Sequence, residues 1–289
     1  MGYLHIPNLY KDLRIMEFKE CYVLEKIHGT SAHVAWKDNQ IRFFSGGEKH
    51  ERFLTLFNAE ILTARFLELF KDVDVTLFGE AYGGSQQGMS HTYGKELKFI
   101  VFDVRIDDTW LNVPNAYDVA CKMDLEFVDY IKTITNLEFL NEERDRPSTQ
   151  AKRNGIEEDK LREGIVIRPL EEYKDKRGNR VITKHKGAEF SETKTVREVD
   201  PAKLKILEEA RAISEEWVTP MRLEHVLDKI PKPHDIKTTG TVVKAMIEDV
   251  FREAKGEIVE SQNAKKAIGT KAALLYKRMI MKVEDAKES

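Results

Sequence analysis

Residues 24–30 read Leu24-Glu25-Lys26-Ile27-His28-Gly29-Thr30, an apolar strand that stops on a lysine and turns on a glycine. Cys21-Tyr22-Val23-Leu24 leads in, and residues 31–36 leave as a second strand. The spacing sets a primary amine at a strand end, two residues before an imidazole. Asp38-Asn39 then turns the chain into Ile41-Arg42-Phe43-Phe44, and Ser45-Gly46-Gly47 breaks that strand. Residues 51–70 carry a helical stripe through Phe53, Leu56, Phe57, Ile61, Ala64 and Leu67. Strands are expected at 73–78 and 97–104, with a mobile glycine-rich loop, Gly83-Gly84-Ser85-Gln86-Gln87-Gly88, between them. A helix is expected over 115–132, a polar surface excursion over 141–160, and strands again at 164–168 and 180–186.

Composition changes at Asp200-Pro201, where Asp suits a helix N-cap and Pro the first helical position. Beyond it the apolar residues recur at helical spacing: Ile206, Ala210, Ile213 and Trp217; Leu223, Val226, Leu227 and Ile230; Val243, Met246, Ile247, Val250 and Ala254; Ile268, Ala272, Leu275 and Met279. The expectation is an α+β domain over 1–199 followed by a small all-α domain over 200–289.

Four stretches follow Lys26 in order: Phe78-Gly79-Glu80, Phe99-Ile100-Val101-Phe102-Asp103, Glu163-Gly164-Ile165-Val166-Ile167-Arg168, and Lys184-His185-Lys186. Together with the Lys26 turn they resemble the covalent nucleotidyltransferases, the superfamily of ATP-dependent DNA ligases, RNA ligases and mRNA capping enzymes. His28 and Thr30 around Gly29 look most like the phage-type RNA ligase 2 family; DNA ligases usually carry Asp at the position of His28. A helical C-terminal domain agrees with that family. DNA ligases and capping enzymes have a β-barrel there. The resemblance implies an ATP-grasp-like nucleotidyltransferase domain of antiparallel sheets with flanking helices.

It also implies roles. Lys26 would attack the α-phosphate of ATP and hold AMP. AMP would pass to an RNA 5′-phosphate, which a 3′-hydroxyl then attacks, at a nick in a duplex rather than on loose ends. Each step is a displacement at phosphorus, governed by positioning and charge neutralisation. Lysine attacks only as the free amine, which Mg²⁺ and nearby cations favour. Lys184 and Lys186, two apart on a strand, share a face and could also hold the α-phosphate. Glu163 beside phosphates suggests a ligand for Mg²⁺ (or Mn²⁺). Glu80 would accept the ribose hydroxyls, Phe102 would stack on adenine with Phe99 as the fallback, and Glu25 would read the adenine amine. Ile27, His28 and Gly29 complete the nucleotide-binding turn. For the phosphate-contacting Arg that the family carries after the next strand, Arg42, Lys49 and Arg52 all remain open, as do the backbone amides of Gly46-Gly47.

The 289 residues are 41% hydrophobic and 34% charged, with net charge −3. No apolar run is long enough for a bilayer. The opening Met1-Gly2-Tyr3-Leu4-His5-Ile6-Pro7 lacks the regions of a signal peptide, so a cytoplasmic monomer is expected. Cys21 and Cys121 have no metal spacing and suit reduced thiols. Charge distribution says more than its sum. Lys174, Lys176, Arg177, Arg180, Lys184 and Lys186 form one basic run. In the last helix Lys266, Lys271, Lys277 and Arg278 surround the apolar stripe, a candidate RNA-phosphate surface. Two alternatives stay open: a small DNA ligase or capping-type nucleotidyltransferase, and a nucleotide- or RNA-binding module without catalysis.

Overall fold

The computed structural model describes residues 2–175, 177–191, 195 and 197–288, so Lys176 of the basic run lies outside the described residues. Contacts divide the chain into two compact units, Met1–Ile15 with Glu20–Glu198, and Met16–Lys19 with Val199–Ser289. Among the described residues no helix is long and apolar enough to cross a membrane.

The first unit is α+β. Its opening strands are β1 (Glu20–Lys26), β2 (Thr30–Lys37) and β3 (Gln40–Phe44), followed by the short helices α1 (His50–Leu54) and α2 (Ala59–Phe70). Next come β4 (Val75–Gly83), α3 (Ser90–Tyr93), β5 (Leu97–Ile106), β6 (Thr109–Trp110) and α4 (Val113–Lys122). The last elements are β7 (Tyr130–Ile134), α5 (Leu137–Asp145), α6 (Thr149–Arg153), β8 (Gly164–Pro169) and β9 (Thr183–Lys186). They form two antiparallel sheets, a four-stranded one in the order β7-β1-β8-β9 and a five-stranded one in the order β3-β2-β4-β5-β6. Leu24 and Ile27 from the first sheet, Val34, Leu77 and Val101 from the second, and Phe53, Phe66 and Ala116 from the helices share one apolar core. Burying such side chains supplies the main driving force for the fold.

Register positions the chemistry. Lys26 lies opposite Gly164, and Gly164 opposite Lys186, so three strands bring both lysines level with the residue preceding β8, Glu163. Gly164 has φ +150°, and a Cβ there would fall 2.2 Å from the His185 carbonyl oxygen, so any larger residue would push β8 off β9. The next row on the same face holds Leu24, Val166 and Lys184. Residues 7–9 extend this edge: Lys184 N donates to Pro7 O at 2.9 Å, and Leu9 N to Lys184 O at 2.8 Å.

The structure corrects three local expectations. Residues 51–70 are two helices, because Asn58 caps α2 by accepting from Glu60 N and Ile61 N. The helix expected to run to 132 ends at Lys122. Asp124 has φ +57°, and Tyr130–Ile134 is a strand paired with β1. The stretch 141–160 is no surface excursion: it holds most of α5, all of α6, and the buried Glu143, Ser148 and Gln150. In the glycine-rich loop Gln86 Nε2 donates to Glu48 Oε2 at 2.6 Å and Arg52 Nη1 to Ser85 Oγ at 3.3 Å.

The second unit contains α7 (Pro201–Trp217), α8 (Pro220–Leu227), α9 (Thr239–Glu253) and α10 (Gln262–Glu288). Asp200 caps α7 by accepting from Ala202 N and Lys203 N, with Pro201 at its first position. Arg211 Nη1 donates to the carbonyls of Met16 and Phe18, which ties Met16–Lys19 to this unit. On α10 the buried stripe is Ile268, Ala272, Tyr276 and Ile280, while Leu275 and Met279 are only partly covered.

Candidate active site

β1 delivers Lys26 to a cavity of about 390 Å³ within the first unit. One wall comes from the first sheet through Leu24, Val166 and Lys184, and the other from the second sheet through Ser31, Glu80 and Phe102. Ile27 and Arg168 also line it, as do Tyr3, Leu4, His5 and Ile6 of the N-terminal segment. Its size is that of a small-molecule site.

Charge gathers around Glu163, which is 1% exposed. Its Oε2 accepts from Lys26 Nζ at 2.7 Å and lies 3.1 Å from His28 Nδ1; its Oε1 lies 3.0 Å from Lys186 Nζ. Burial alone would raise this carboxyl. The His28 hydrogen bond and the Lys26 and Lys186 charges outweigh it and hold the group at about 2. Glu80 behaves oppositely. Burial, with the Glu163 charge adding, pushes it up to about 7 against the pull of Lys26 and the Gly29 hydrogen bond. Glu80 Oε1 accepts from Gly29 N at 3.1 Å. A Cβ on Gly29 would fall 2.3 Å from the Ala81 carbonyl oxygen, so the turn can close on β4 only with glycine. His28 packs against Phe190 with ring centroids 5.5 Å apart.

Phe102 faces the cavity and packs edge-on against Tyr3 at 4.9 Å. Phe99 instead lies in the core beside Phe53 and Phe57. Behind the cavity, Asp103 Oδ1 accepts from Arg168 at 2.9 Å, and its Oδ2 accepts from Arg180 at 2.7 Å and Tyr3 at 2.6 Å. Glu172 bridges the two arginines, and Arg180 stacks 4.0 Å over Trp110. Buried charges require such partners.

Two of the sequence-assigned residues have protein partners. Glu25 lines the cavity, and its carboxylate accepts from Ser148 Oγ, Thr149 N and Gln150 N of α6 and the residue before it. Arg42 is half-exposed on edge strand β3, where Asp38 holds it at 2.8 Å, and it does not line the cavity. Neither Lys49 nor Arg52 lines it; Arg52 pairs with Glu48 at 3.4 Å. Tyr3, Ser31, Tyr93 and Phe190 come to the site without a sequence signal of their own, whereas Arg168 closes the stretch that begins at Glu163. The basic run at 174–186 and the aromatic character of residues 99–102 were the nearest hints.

In the second unit, Lys271 Nζ lies 2.8 Å from Glu215 and is partly buried, and Lys266 lies 4.0 Å from Glu17. Lys271 is therefore engaged within its own unit. Lys277 is partly exposed and Arg278 exposed. Among the described residues no three His, Cys, Asp or Glu side chains gather into a metal cage.

A lysine ending a strand at a cavity between two antiparallel sheets, with carboxylates and lysines around it, is the arrangement of the nucleotidyltransferase-type ligases. The chain belongs to the RNA ligase family: residues 19–186, more than half its length, match the family model described as RNA ligase. Among solved structures, Naegleria gruberi RNA ligase with PPi is similar at 19% identity and a TM-score of 0.49, over 66% of this chain and 57% of that one. A mutant of that enzyme with ATP and Mn gives 18% identity and 0.49, over 66% and 57%. An apo mutant gives 19% and 0.48, over 65% and 56%. The match thus spans little more than half the length of those proteins. No curated protein sequence matches the chain.

Proposed function

We propose that the protein is an ATP-dependent RNA ligase that joins 5′-phosphate and 3′-hydroxyl ends through AMP carried on Lys26. The observation that carries this reading is the position of Lys26 Nζ. It lines the cavity with Glu80 and Lys184, and it lies 2.7 Å from a carboxylate that also contacts His28 and Lys186.

Glu163 holds the amine in place until the nucleotide arrives. In the first step Lys26 attacks the α-phosphate of ATP and pyrophosphate leaves. Lys184 and Lys186 lie on the strand facing that amine and neutralise the charge developing on phosphate oxygens. Glu80 accepts the ribose hydroxyls, Phe102 packs on adenine, and His28 assists with the departing or incoming phosphate. AMP then moves to the RNA 5′-phosphate, and the 3′-hydroxyl displaces it.

One carboxylate without a metal cage suits a cation that keeps its waters and is shared with substrate phosphates. Glu163 is the residue that would hold such a Mg²⁺ or Mn²⁺, which when bound would neutralise phosphate charge. The substrate is RNA, preferentially nicked duplex. The second unit, over about residues 200–289, is read as the RNA-binding domain of a cytoplasmic monomer.

The test is covalent labelling. Incubation with α-labelled ATP and Mg²⁺, followed by a denaturing gel, should leave label on the protein, whereas α-labelled GTP should not. Lys26→Ala should abolish the label yet still seal an RNA nick bearing a preformed 5′-adenylate, since that step does not use the amine as nucleophile. Label on the Lys26→Ala protein would remove Lys26 from the role. Equal sealing of DNA and RNA nicks would count against the RNA assignment.

A further inference from the structure

Lys26 ends β1 and Thr30 begins β2, so residues 27–29 lie outside both sheet ladders. Their backbone donors must find other partners. Gly29 N goes to Glu80, and His28 N donates to the phenol oxygen of Tyr93 at 3.3 Å. Tyr93 closes α3 and is 1% exposed, with its ring perpendicular to Tyr82 at 5.3 Å. Its own backbone is anchored: Asn154 Nδ2 donates to Tyr93 O at 2.9 Å, and Asn154 Oδ1 accepts from Lys98 Nζ at 2.9 Å.

Asn154 is the C-cap of α6, the same helix whose N-terminus holds the Glu25 carboxylate. One short helix therefore supports the nucleophile on both sides. It grips Glu25 directly, just before Lys26, and reaches His28, just after it, through Asn154 and Tyr93. Burial, and beyond it the nearby carboxylates of Glu25, Glu163 and Glu80, pushes the Tyr93 phenol up, so the hydroxyl stays neutral over the working range.

We propose that Tyr93 is a positioning residue for the nucleophile: its phenol oxygen fixes the turn that aims Lys26 at the α-phosphate. This rests on the lysyl-AMP reading above. A displacement at phosphorus is sensitive to small misplacement of the attacking atom. AMP attachment should therefore depend on the phenol more than nucleotide binding or final sealing does. A tyrosine that merely fills the core would act through its ring, which phenylalanine preserves.

The experiment compares wild type with Tyr93→Phe. Single-turnover lysyl-AMP formation at saturating ATP should fall about tenfold, the scale of one hydrogen bond. ATP affinity and sealing of a pre-adenylylated nick should stay within about twofold on the same scale. Hydrogen exchange at the His28 amide should quicken by a similar factor, a readout that needs no activity. Asn154→Ala, which frees the Tyr93 carbonyl, should show the same split.

An unchanged rate and unchanged His28 exchange in Tyr93→Phe would overturn the proposal. So would an equal loss in every step in both variants, the mark of general damage. Absence of any covalent adenylate on the wild type would instead sink the ligase reading, and His28 exchange would still decide whether the tether exists.

Discussion

Glu163 and Glu80 lie around the same lysine and are driven apart by their surroundings. Glu163, held at about 2, is ionised throughout the useful pH range. Glu80, at about 7, titrates within it. If ionised Glu80 accepts the ribose hydroxyls, lysyl-AMP formation should decline as pH falls below about 7, and single-turnover rates across pH 5–9 would reveal that limb. Stability should respond in the opposite sense. A carboxyl raised from 4.5 to about 7 favours the fold fully below 4.5, and that contribution is lost as pH rises through 7. Glu80→Gln should therefore stabilise the protein at pH 8, by up to about 3 kcal/mol, and change little near pH 4. It should weaken nucleotide binding at pH 8. Denaturant melts at both pH values check the sign, and a variant less stable at pH 8 would contradict it. Glu163→Gln should remove the shared anion from Lys26, His28 and Lys186, and slow AMP attachment by about a hundredfold, the scale of one charge-stabilising group. Wild-type rate with wild-type Mg²⁺ dependence in that variant would end its role.

Strands β5 and β8, from different sheets, are joined by Asp103, which bonds Arg168 of β8, Arg180 of the loop before β9, and Tyr3 of the N-terminal segment. Asp103→Ala should leave two buried guanidiniums with Glu172 as their remaining carboxylate and destabilise the protein by about 3–5 kcal/mol, as for breaking a buried ion pair. A denaturant midpoint within error of wild type would contradict this. The motifs around Lys26, Glu80, Glu163 and Lys186 were legible because their ordered series resembles that of the nucleotidyltransferases. That series did not make their supports legible. Ser148, Gln150 and Asn154 are polar and read as surface, yet Ser148 Oγ and Gln150 N donate to the Glu25 carboxylate, and Asn154 Nδ2 donates to the carbonyl of Tyr93. The helix over-extended past Lys122 because Leu125 and Phe127 keep apolar spacing, while the left-handed Asp124 that ends it has no apolar signature. The strand pattern did not show that Arg42 lies on edge strand β3 beside Asp38, four residues back, and outside the cavity lining.

Across the whole molecule, the residues proposed for self-adenylylation all lie before 190, and the helices are proposed to take the RNA. Phosphate contacts release counterions, so RNA affinity should fall steeply with salt, independently of sequence. Truncation at Asp200 is a poor test, because Met16 and Phe18 are buried residues of a segment that groups with the helical unit and would lose its partners. Full-length variants are cleaner. Lys277→Ala with Arg278→Ala leaves the α10 stripe of Ile268, Ala272, Tyr276 and Ile280 intact. The pair should lower affinity for nicked duplex RNA and flatten the slope of log affinity against log salt by about two, one per phosphate contact. Lys271→Ala should change that slope little, because Glu215 already holds this lysine at 2.8 Å. Covalent AMP attachment should stay at the wild-type level in all of them. A double variant that seals nicks with wild-type affinity and an unchanged salt slope would move the RNA surface off α10. A double variant that also lost AMP attachment would mean that the two units do not divide the work as described.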